Sequence, residues 1–174
     1  MGIQFETDYN METLTAMAKS LRKTVRKKRS RRVHIFAAVV LILGLLTILA
    51  TTAGGEPLGA SGVVTLLAML VVILVSLFED KLNAWFARKR LLPGTEHAAA
   101  TFEEDGYVSA TGVTESRFSY AQIVAVAETA RYFVFALSSH HTQAYDKRTI
   151  RGGSVEDFRA FIAEKTGKLV ENIK

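Results

Sequence analysis

The sequence predicts an α+β membrane protein in which a hairpin of two transmembrane helices precedes a cytoplasmic antiparallel β domain with a C-terminal helix. Three observations lead to this fold class. Two apolar stretches without charged residues lie in the first half of the chain. Short alternating segments rich in Val, Ile, Tyr and Phe fill residues 96–146, as expected of half-buried strands. One amphipathic helical pattern follows them.

The N-terminal segment, residues 1–32, combines a short strand with a basic amphipathic helix. Ile3 and Phe5 alternate with polar neighbours, and this period of two predicts a strand. Asn10 is a suitable N-cap for the helix that follows it. Two interpretations of this helix stay open. It extends the first transmembrane helix into the cytoplasm, or it lies flat on the lipid headgroups.

Residues 33–92 form the predicted transmembrane hairpin and its cytoplasmic extension. The stretches 33–53 and 60–78 contain no Asp, Glu, Lys or Arg, and each is close to the roughly 20 apolar residues that cross a bilayer core. A Gly-rich turn joins them. Because basic flanks stay on the cytoplasmic side, we expect a multi-pass protein of the cytoplasmic (inner) membrane with both termini in the cytoplasm.

Charge is distributed unevenly along the chain. Residues 1–95 carry 13 basic and 6 acidic side chains, whereas residues 96–174 carry 9 basic and 11 acidic ones. The basic excess flanks the apolar stretches, which disfavours nucleic acid as a partner and indicates a collar for anionic lipid headgroups of the bilayer. This basic collar comprises Arg22, Lys23, Arg26, Lys27, Lys28, Arg29, Arg31, Arg32, Arg88, Lys89 and Arg90.

Residues 93–174 are predicted to form the cytoplasmic β domain. Six alternating segments occur here, and Asp105-Gly106 between the first two is a strong hairpin signal. Ser154 and Asp157 have the spacing of a capping box at a helix start. With the N-terminal strand, the domain has seven strands and a C-terminal helix, which is the order of a pleckstrin-homology-like (PH-like) barrel. The transmembrane hairpin is then inserted between the first two strands.

The C-terminal helix must bury its apolar face on the sheet. Phe158, Phe161 and Ile162 recur at helical spacing. We expect all three to be buried, with Phe133 and Phe135 on one face of a strand beneath them.

Four segments carry a resemblance to a known family: residues 102–108 (FEEDGYV), 118–137, 144–150 (AYDKRTI) and 154–167. Together with the order of strand, two membrane helices and domain, they are similar to the bacterial YcxB-like family of small membrane proteins. The resemblance extends over nearly the whole chain. It implies a two-span membrane protein with a cytoplasmic domain, in a family of largely unassigned function, and it brings no catalytic residues.

The residue types with catalytic or metal-binding chemistry are sparse. Without cysteine, disulfides and thiolate sites are excluded. His140 and His141 are adjacent, so they point to opposite sides of a strand, and they are predicted to form an exposed turn and not a metal site. No nucleophile elbow or phosphate-binding loop occurs. We therefore expect no catalytic residues, no cofactor and no metal.

One candidate ligand patch remains, formed by Lys147, Arg148 and Arg151 just before the C-terminal helix. Backbone N–H groups at a helix start favour anions, so the patch could bind a headgroup or an acidic peptide of a partner. The alternative is a solvated loop.

Two hypotheses on function follow. The first is a non-enzymatic binding or regulatory protein, of an adaptor or immunity type, which engages a protein partner through its β domain at the inner membrane. The second is a structural subunit or homo-oligomer that acts through its transmembrane helices, where Gly44 and residues 60–62 would allow close helix contact.

Overall fold

The computed structural model describes residues 2–55 and 57–174. Met1, and Glu56 of the predicted Gly-rich turn, lie outside the described residues. The fold is mixed α+β, with two mainly antiparallel sheets and two long apolar helices towards the N-terminus. The chain divides into two compact units. The β unit comprises the segment up to Lys27 together with Asn83–Lys174, and the helical unit comprises Lys28–Leu82.

The helices are α1 (Met11–Lys23), α2 (Lys27–Ala53), α3 (Ala60–Leu77), α4 (Glu79–Lys89) and α5 (Val155–Thr166). The strands are β1 (Ile3–Asp8), β2 (His97–Phe102), β3 (Tyr107–Thr111), β4 (Glu115–Phe118), β5 (Ala125–Glu128), β6 (Tyr132–Ala136), β7 (Thr142–Asp146) and β8 (Val170–Asn172).

The first sheet has the order β1-β2-β3-β4 and is antiparallel throughout. Ile3 lies opposite Phe102 and Asp8 opposite His97, so the predicted N-terminal strand pairs with β2. In sequence, α1 to α4 are therefore inserted between two paired strands. This register places Phe5 on the inner face of the sheet, where it is 1% exposed.

The second sheet has the order β7-β6-β5-β8. Strands β5, β6 and β7 pair antiparallel, whereas β8 runs parallel to β5. Strand β8 was not predicted from the sequence, because it has three residues, too few for a visible alternation. All five residues of β6 are buried, which requires that both faces of this sheet are covered.

One hydrophobic core contains side chains from both sheets and from α5. Its central ring, Phe102, lies 5.8 Å from Phe5, 4.9 Å from Tyr107 and 4.8 Å from Phe158, measured between ring centroids. Offset and edge-on ring pairs of this kind add to the free energy gained by burial. The predicted positions of Phe133 and Phe135 are confirmed, since both belong to this core.

Helix α5 covers this core, and two of the three side chains that were predicted to be buried are fully buried. Phe158 and Ile162 are fully buried, but Phe161 is only partly buried. Its ring packs edge-on against Tyr120, at 5.7 Å between centroids. The prediction that all three are buried alike was therefore wrong for Phe161, because this side chain lies at the margin of the core.

Helix α1 covers the other face of the second sheet. Its Ala16 and Met17 pack on a cluster that includes Tyr132 and Val134, and Thr13 Oγ1 donates a hydrogen bond of 3.1 Å to the Tyr132 hydroxyl. Neither predicted role of this helix is observed. It ends at Lys23, a turn separates it from α2, and its apolar face packs on protein.

The β2–β3 hairpin is confirmed at Asp105-Gly106, but its turn differs from a two-residue turn. Phe102 pairs with Tyr107, and Glu103 N donates to Gly106 O at 2.8 Å, so four residues form the turn. A Cβ atom at Gly106 would lie 2.5 Å from the carbonyl oxygen of Phe118. Glycine is thus required here by a close approach of β4.

The helical unit contains the two apolar helices α2 and α3. By length and composition both can cross a membrane, and the most apolar 18-residue segment of each helix is not buried in the protein. This indicates membrane association. Gly44 of α2 faces α3, since a Cβ atom there would lie 2.8 Å from Met69 Sδ. Within this unit His34 Nε2 lies 3.7 Å from Glu79 Oε2.

Candidate binding site

The β unit contains an open cavity of about 400 Å³, which we call the binding cavity. Small hydroxyl side chains of β3, β4 and β7 line one part of it: Ser109, Thr111, Ser116 and Thr142. Apolar side chains of α1 and of α4 with the residues after it line another: Leu14, Met17, Ala87 and Leu91. Small residues such as Ser109 and Ala98, in positions where a core would carry larger ones, leave this space unfilled.

Gln143 on β7 supplies the most constrained polar group of this cavity. Its side-chain oxygen Oε1 accepts hydrogen bonds of 2.7 Å from the hydroxyls of Tyr107 and Tyr145. Burial raises the pKa of both tyrosines, so both hydroxyls stay protonated and donate. The two donors fix the orientation of the amide plane.

The amide nitrogen of Gln143 has no acceptor among the hydrogen bonds described for this chain. The residue is 7% exposed and lines the binding cavity. A nearly buried N–H without an acceptor is costly. A ligand that brings a carbonyl or hydroxyl oxygen would satisfy it.

The rim of the binding cavity is formed by the β6–β7 turn with His140 and His141. Arg26 holds this turn, because its Nε donates to Ser139 O at 2.6 Å and its guanidinium NH2 group contacts His140 Nδ1 at 2.9 Å. The His141 ring packs edge-on to Phe118, at 6.2 Å between centroids. The predicted exposed turn is confirmed for both histidines, and the described residues contain no group of three metal-ligating side chains.

The binding cavity is uncharged. None of its described lining residues is Asp, Glu, Lys or Arg. A strongly charged group would have to leave water without a compensating partner, and such burial is unfavourable. The arrangement therefore suits a neutral group with an apolar part and a hydrogen-bond acceptor.

The predicted anion patch is engaged by carboxylates of the β unit. Lys147 Nζ lies 2.9 Å from Glu128 Oε1, Arg148 lies 3.0 Å from Asp146 Oδ2, and Arg151 lies 3.4 Å from Glu6 Oε1. Each basic group thus has an acidic neighbour, with which a further anion would have to compete. The anion patch stays a prediction.

The start of α5 is occupied as well. The Asp157 carboxylate accepts hydrogen bonds from the backbone N–H and the hydroxyl of Ser154, at 3.0 and 2.7 Å, which lower the pKa of Asp157. This is the predicted capping box, and it is confirmed. An anion at this helix start would meet the Asp157 carboxylate, which already takes the favourable position.

The basic collar separates into two groups in the structure. Lys23 Nζ donates to Lys174 O at 3.1 Å, Arg26 holds the rim described above, and all of Arg22, Lys23 and Arg26 are half-buried. The remaining members are exposed: Lys27, Lys28, Arg29, Arg31, Arg32, Arg88, Lys89 and Arg90. These eight stay candidates for lipid headgroups.

The binding cavity was not predicted from the sequence. Its residues are Ser, Thr, Ala and Gln, which carry no catalytic signature, and they come from elements distant in the chain. One signal was present. Gln143 and Tyr145 are two positions apart and therefore lie on the same face of β7. A Gln side chain on a face that also carries a buried aromatic ring needs a hydrogen-bond partner.

Comparison with known proteins defines what part of this unit is shared. Residues 102–162 match the family model of the YcxB-like proteins. The resemblance is confirmed for this segment, which runs from the end of β2 into α5, and it is narrower than the sequence analysis expected. The YcxB-like segment includes Gln143 and the hydroxyl-lined part of the binding cavity, whereas α1 to α4 lie outside it. No curated protein and no solved structure matches the chain.

Proposed function

We propose that this protein is a non-enzymatic binding or regulatory protein, tethered to the cytoplasmic membrane, which takes an uncharged segment of a protein partner into the binding cavity. The observation that carries this proposal is the Gln143 amide, which two tyrosine hydroxyls orient and which keeps its donor for a ligand. A prepositioned donor binds without the entropy cost of ordering a mobile side chain.

The arrangement of the β unit indicates its fold class. We infer a PH-like fold, because the seven strands β1 to β7 form two sheets that share one core with the following helix α5, and the short β8 only extends the second sheet. The position of α1 to α4 between β1 and β2 agrees with a membrane hairpin inserted into such a domain. Since one fold hosts unrelated functions, the proposal depends on the binding cavity and not on the fold.

The membrane part of the proposal depends on sequence and composition. Helices α2 and α3 are long and apolar enough to cross a bilayer, and basic residues precede α2 and follow α3. We infer that both flanks, and with them the β unit, face the cytoplasm. The tether would keep the binding cavity near other membrane proteins and raise their effective concentration.

The chemistry of the binding cavity describes the partner segment. A backbone carbonyl, or an Asn, Gln or Ser side chain, would accept from Gln143 Nε2. Small apolar side chains next to it would contact Leu14, Met17 and Leu91, which line the binding cavity. A volume of about 400 Å³ falls within the roughly 300–1,000 Å³ of known ligand sites.

Site-specific photo-crosslinking in native membranes tests this function. A benzophenone amino acid at Thr142, which lines the binding cavity, should crosslink one discrete protein. The same group at Ala160, an exposed position of α5, should not crosslink it. Gln143→Glu is the decisive variant, since it keeps an oxygen for both tyrosines and removes the amide donor.

The expected result is that Gln143→Glu abolishes the crosslink from Thr142 while hydrogen exchange of β6 stays slow. An equal crosslink yield from Thr142 in the unchanged chain and in Gln143→Glu would contradict the proposed site. Identical crosslinked proteins from Thr142 and Ala160 would do the same, because they would report proximity and not binding in the cavity.

The alternative function, a subunit or oligomer that acts through its transmembrane helices, has less support. Gly44 packs against Met69 of α3 within the hairpin. Gly62 is covered by Leu58, whose Cδ2 atom would lie 2.6 Å from a Cβ atom there. These two glycines thus serve contacts within one chain.

A further inference from the structure

Two loops of the β unit are tied together away from the hydrophobic core. One follows α4 and contains Leu92 and Gly94, and the other is the β3–β4 turn with Gly112 and Val113. Gly112 N donates to Gly94 O at 2.9 Å. Gly94 has a φ of 85°, a conformation that suits glycine, and a Cβ atom at Gly112 would lie 2.9 Å from Gly94 O. The contact therefore requires both glycines.

This contact presents two aliphatic side chains to the outside. Leu92 is 68% exposed and Val113 is 63% exposed. Val113 lies against the other loop, since its Cγ1 would be 2.8 Å from a Cβ atom at Gly94. We call Leu92, Pro93 and Val113 the docking tip. Contiguous exposed apolar surface marks interaction sites, whereas single exposed apolar residues are ordinary.

The residues before the docking tip have the composition of a membrane interface. Arg88, Lys89 and Arg90 are exposed, and Trp85 is 44% exposed. Lys89 Nζ lies 3.6 Å from the centroid of the Trp85 ring. Trp with flanking Lys and Arg is typical of the headgroup region of a bilayer, where basic residues also attract anionic lipids.

The chain length also favours a lipid surface. Only Phe78 separates α3 from α4, and the 11 residues of α4 extend roughly 16 Å at the usual rise of a helix. If α3 crosses the bilayer, the docking tip stays within reach of the same surface.

We propose that the docking tip inserts into the headgroup region of the bilayer, with Arg88, Lys89 and Arg90 on anionic headgroups. The β unit then has a membrane contact of its own besides its covalent connection to α2 and α3. This inference rests on the proposed membrane anchoring of the protein.

Single-cysteine variants of the full chain test the proposal, because the chain has no cysteine of its own. An environment-sensitive fluorophore is attached at Val113→Cys in nanodiscs of phosphatidylglycerol and phosphatidylcholine. Lipids brominated near the headgroup end of the acyl chains serve as quenchers. Val71→Cys in α3 is the control inside the bilayer, and Leu169→Cys, at a residue that is 90% exposed, is the control in solvent.

The expected result is that the Val113 label is quenched at least half as strongly as the Val71 label, whereas the Leu169 label is not quenched. In nanodiscs of phosphatidylcholine alone, or with Arg88, Lys89 and Arg90 replaced by Gln, quenching at Val113 should decrease. No quenching at Val113 while the Val71 label is quenched would overturn the docking tip and leave the anchoring intact. The tip would then be free for a protein. No quenching at Val71 would overturn both.

Discussion

At the scale of single residues, aromatic side chains hold the β unit together, and their burial differs along one helix. Phe158 contacts Phe5, Phe102 and Phe133 with centroid distances of 4.7, 4.8 and 5.0 Å. Phe161 has one edge-on contact with Tyr120 below 6 Å, and Lys165 Nζ lies 5.8 Å from its ring. Because both are Phe side chains of the same helix, the effects of replacing each of them by Ala on stability can be compared directly.

Phe158→Ala should lower the free energy of unfolding by about 3–5 kcal/mol, because a fully buried ring is replaced by a cavity. Phe161→Ala should cost clearly less, since part of this ring is already in contact with water. Pulse proteolysis of the full chain in nanodiscs measures both. Equal losses for the two variants would show that α5 packs differently from the structure described here.

Glu128 is a buried carboxylate whose charge is stabilised by neighbouring basic side chains. Arg159 Nε and NH2 donate to its carboxylate at 2.7 and 2.8 Å, and Lys147 Nζ donates at 2.9 Å. The hydrogen bonds from Arg159, with that from Lys147, lower the pKa of Glu128 against the effect of burial. A carboxylate with a lowered pKa stabilises the fold above its unfolded pKa, and the stabilisation is lost as the pH falls through the folded value.

Glu128→Gln should therefore destabilise the β unit by about 2 kcal/mol at neutral pH, the value typical of hydrogen bonds to a charged group. The difference from the unchanged chain should shrink once the pH falls below the unfolded pKa of about 4.3. Unfolding measured by proteolysis at neutral pH, with an acid-tolerant protease at low pH, gives this difference. A loss that is constant across this pH range would mean that the carboxylate charge does not matter here.

At the scale of elements, local signals predicted the helix starts and most strands, whereas contacts between elements were not visible in them. Asn10 caps α1 as predicted, with Glu12 N and Thr13 N donating to its side chain. The apolar face of α1 was recognised, but a periodic pattern does not say whether protein or lipid covers it. The structure shows protein, through Tyr132 and its neighbours.

Gly106 gives an element-scale prediction for the β2–β3 hairpin. Gly106→Ala should open the hairpin or displace β4, because the added Cβ atom would lie 2.5 Å from Phe118 O. Gly153→Ala is the control, since its nearest neighbour would be a side-chain atom of Ile3 at an ordinary distance of 3.4 Å. Hydrogen exchange at Tyr107 and Phe118 should accelerate in the first variant and not in the second. Unchanged exchange in Gly106→Ala would contradict the close approach.

At the scale of the whole molecule, the first strand of the β unit is separated from the second by all four of the helices α1 to α4. This pairing was predictable, because Ile3 and Phe5 form an apolar face that needs a sheet, and the basic flanks predict that both segments lie on one side of the membrane. The binding cavity was not predictable. The cavity results from small side chains of segments that are distant in the sequence, and the sequence around Gln143 does not mark a binding site. The three-residue strand β8 was not predictable either, because it is too short to show an alternating pattern.

We propose that α2 and α3 cross the membrane while β1 and the rest of the β unit share its cytoplasmic side. Cysteine accessibility to a membrane-impermeant maleimide, in sealed vesicles of both orientations, tests it most directly. Gln4, Gly59 and Ala130 are exposed positions of β1, of the segment before α3 and of the β5–β6 turn. We expect Gln4→Cys and Ala130→Cys to react only from the cytoplasmic side and Gly59→Cys only from the opposite side. Reaction of Gln4→Cys and Ala130→Cys from opposite sides, or of all three from one side, would contradict it.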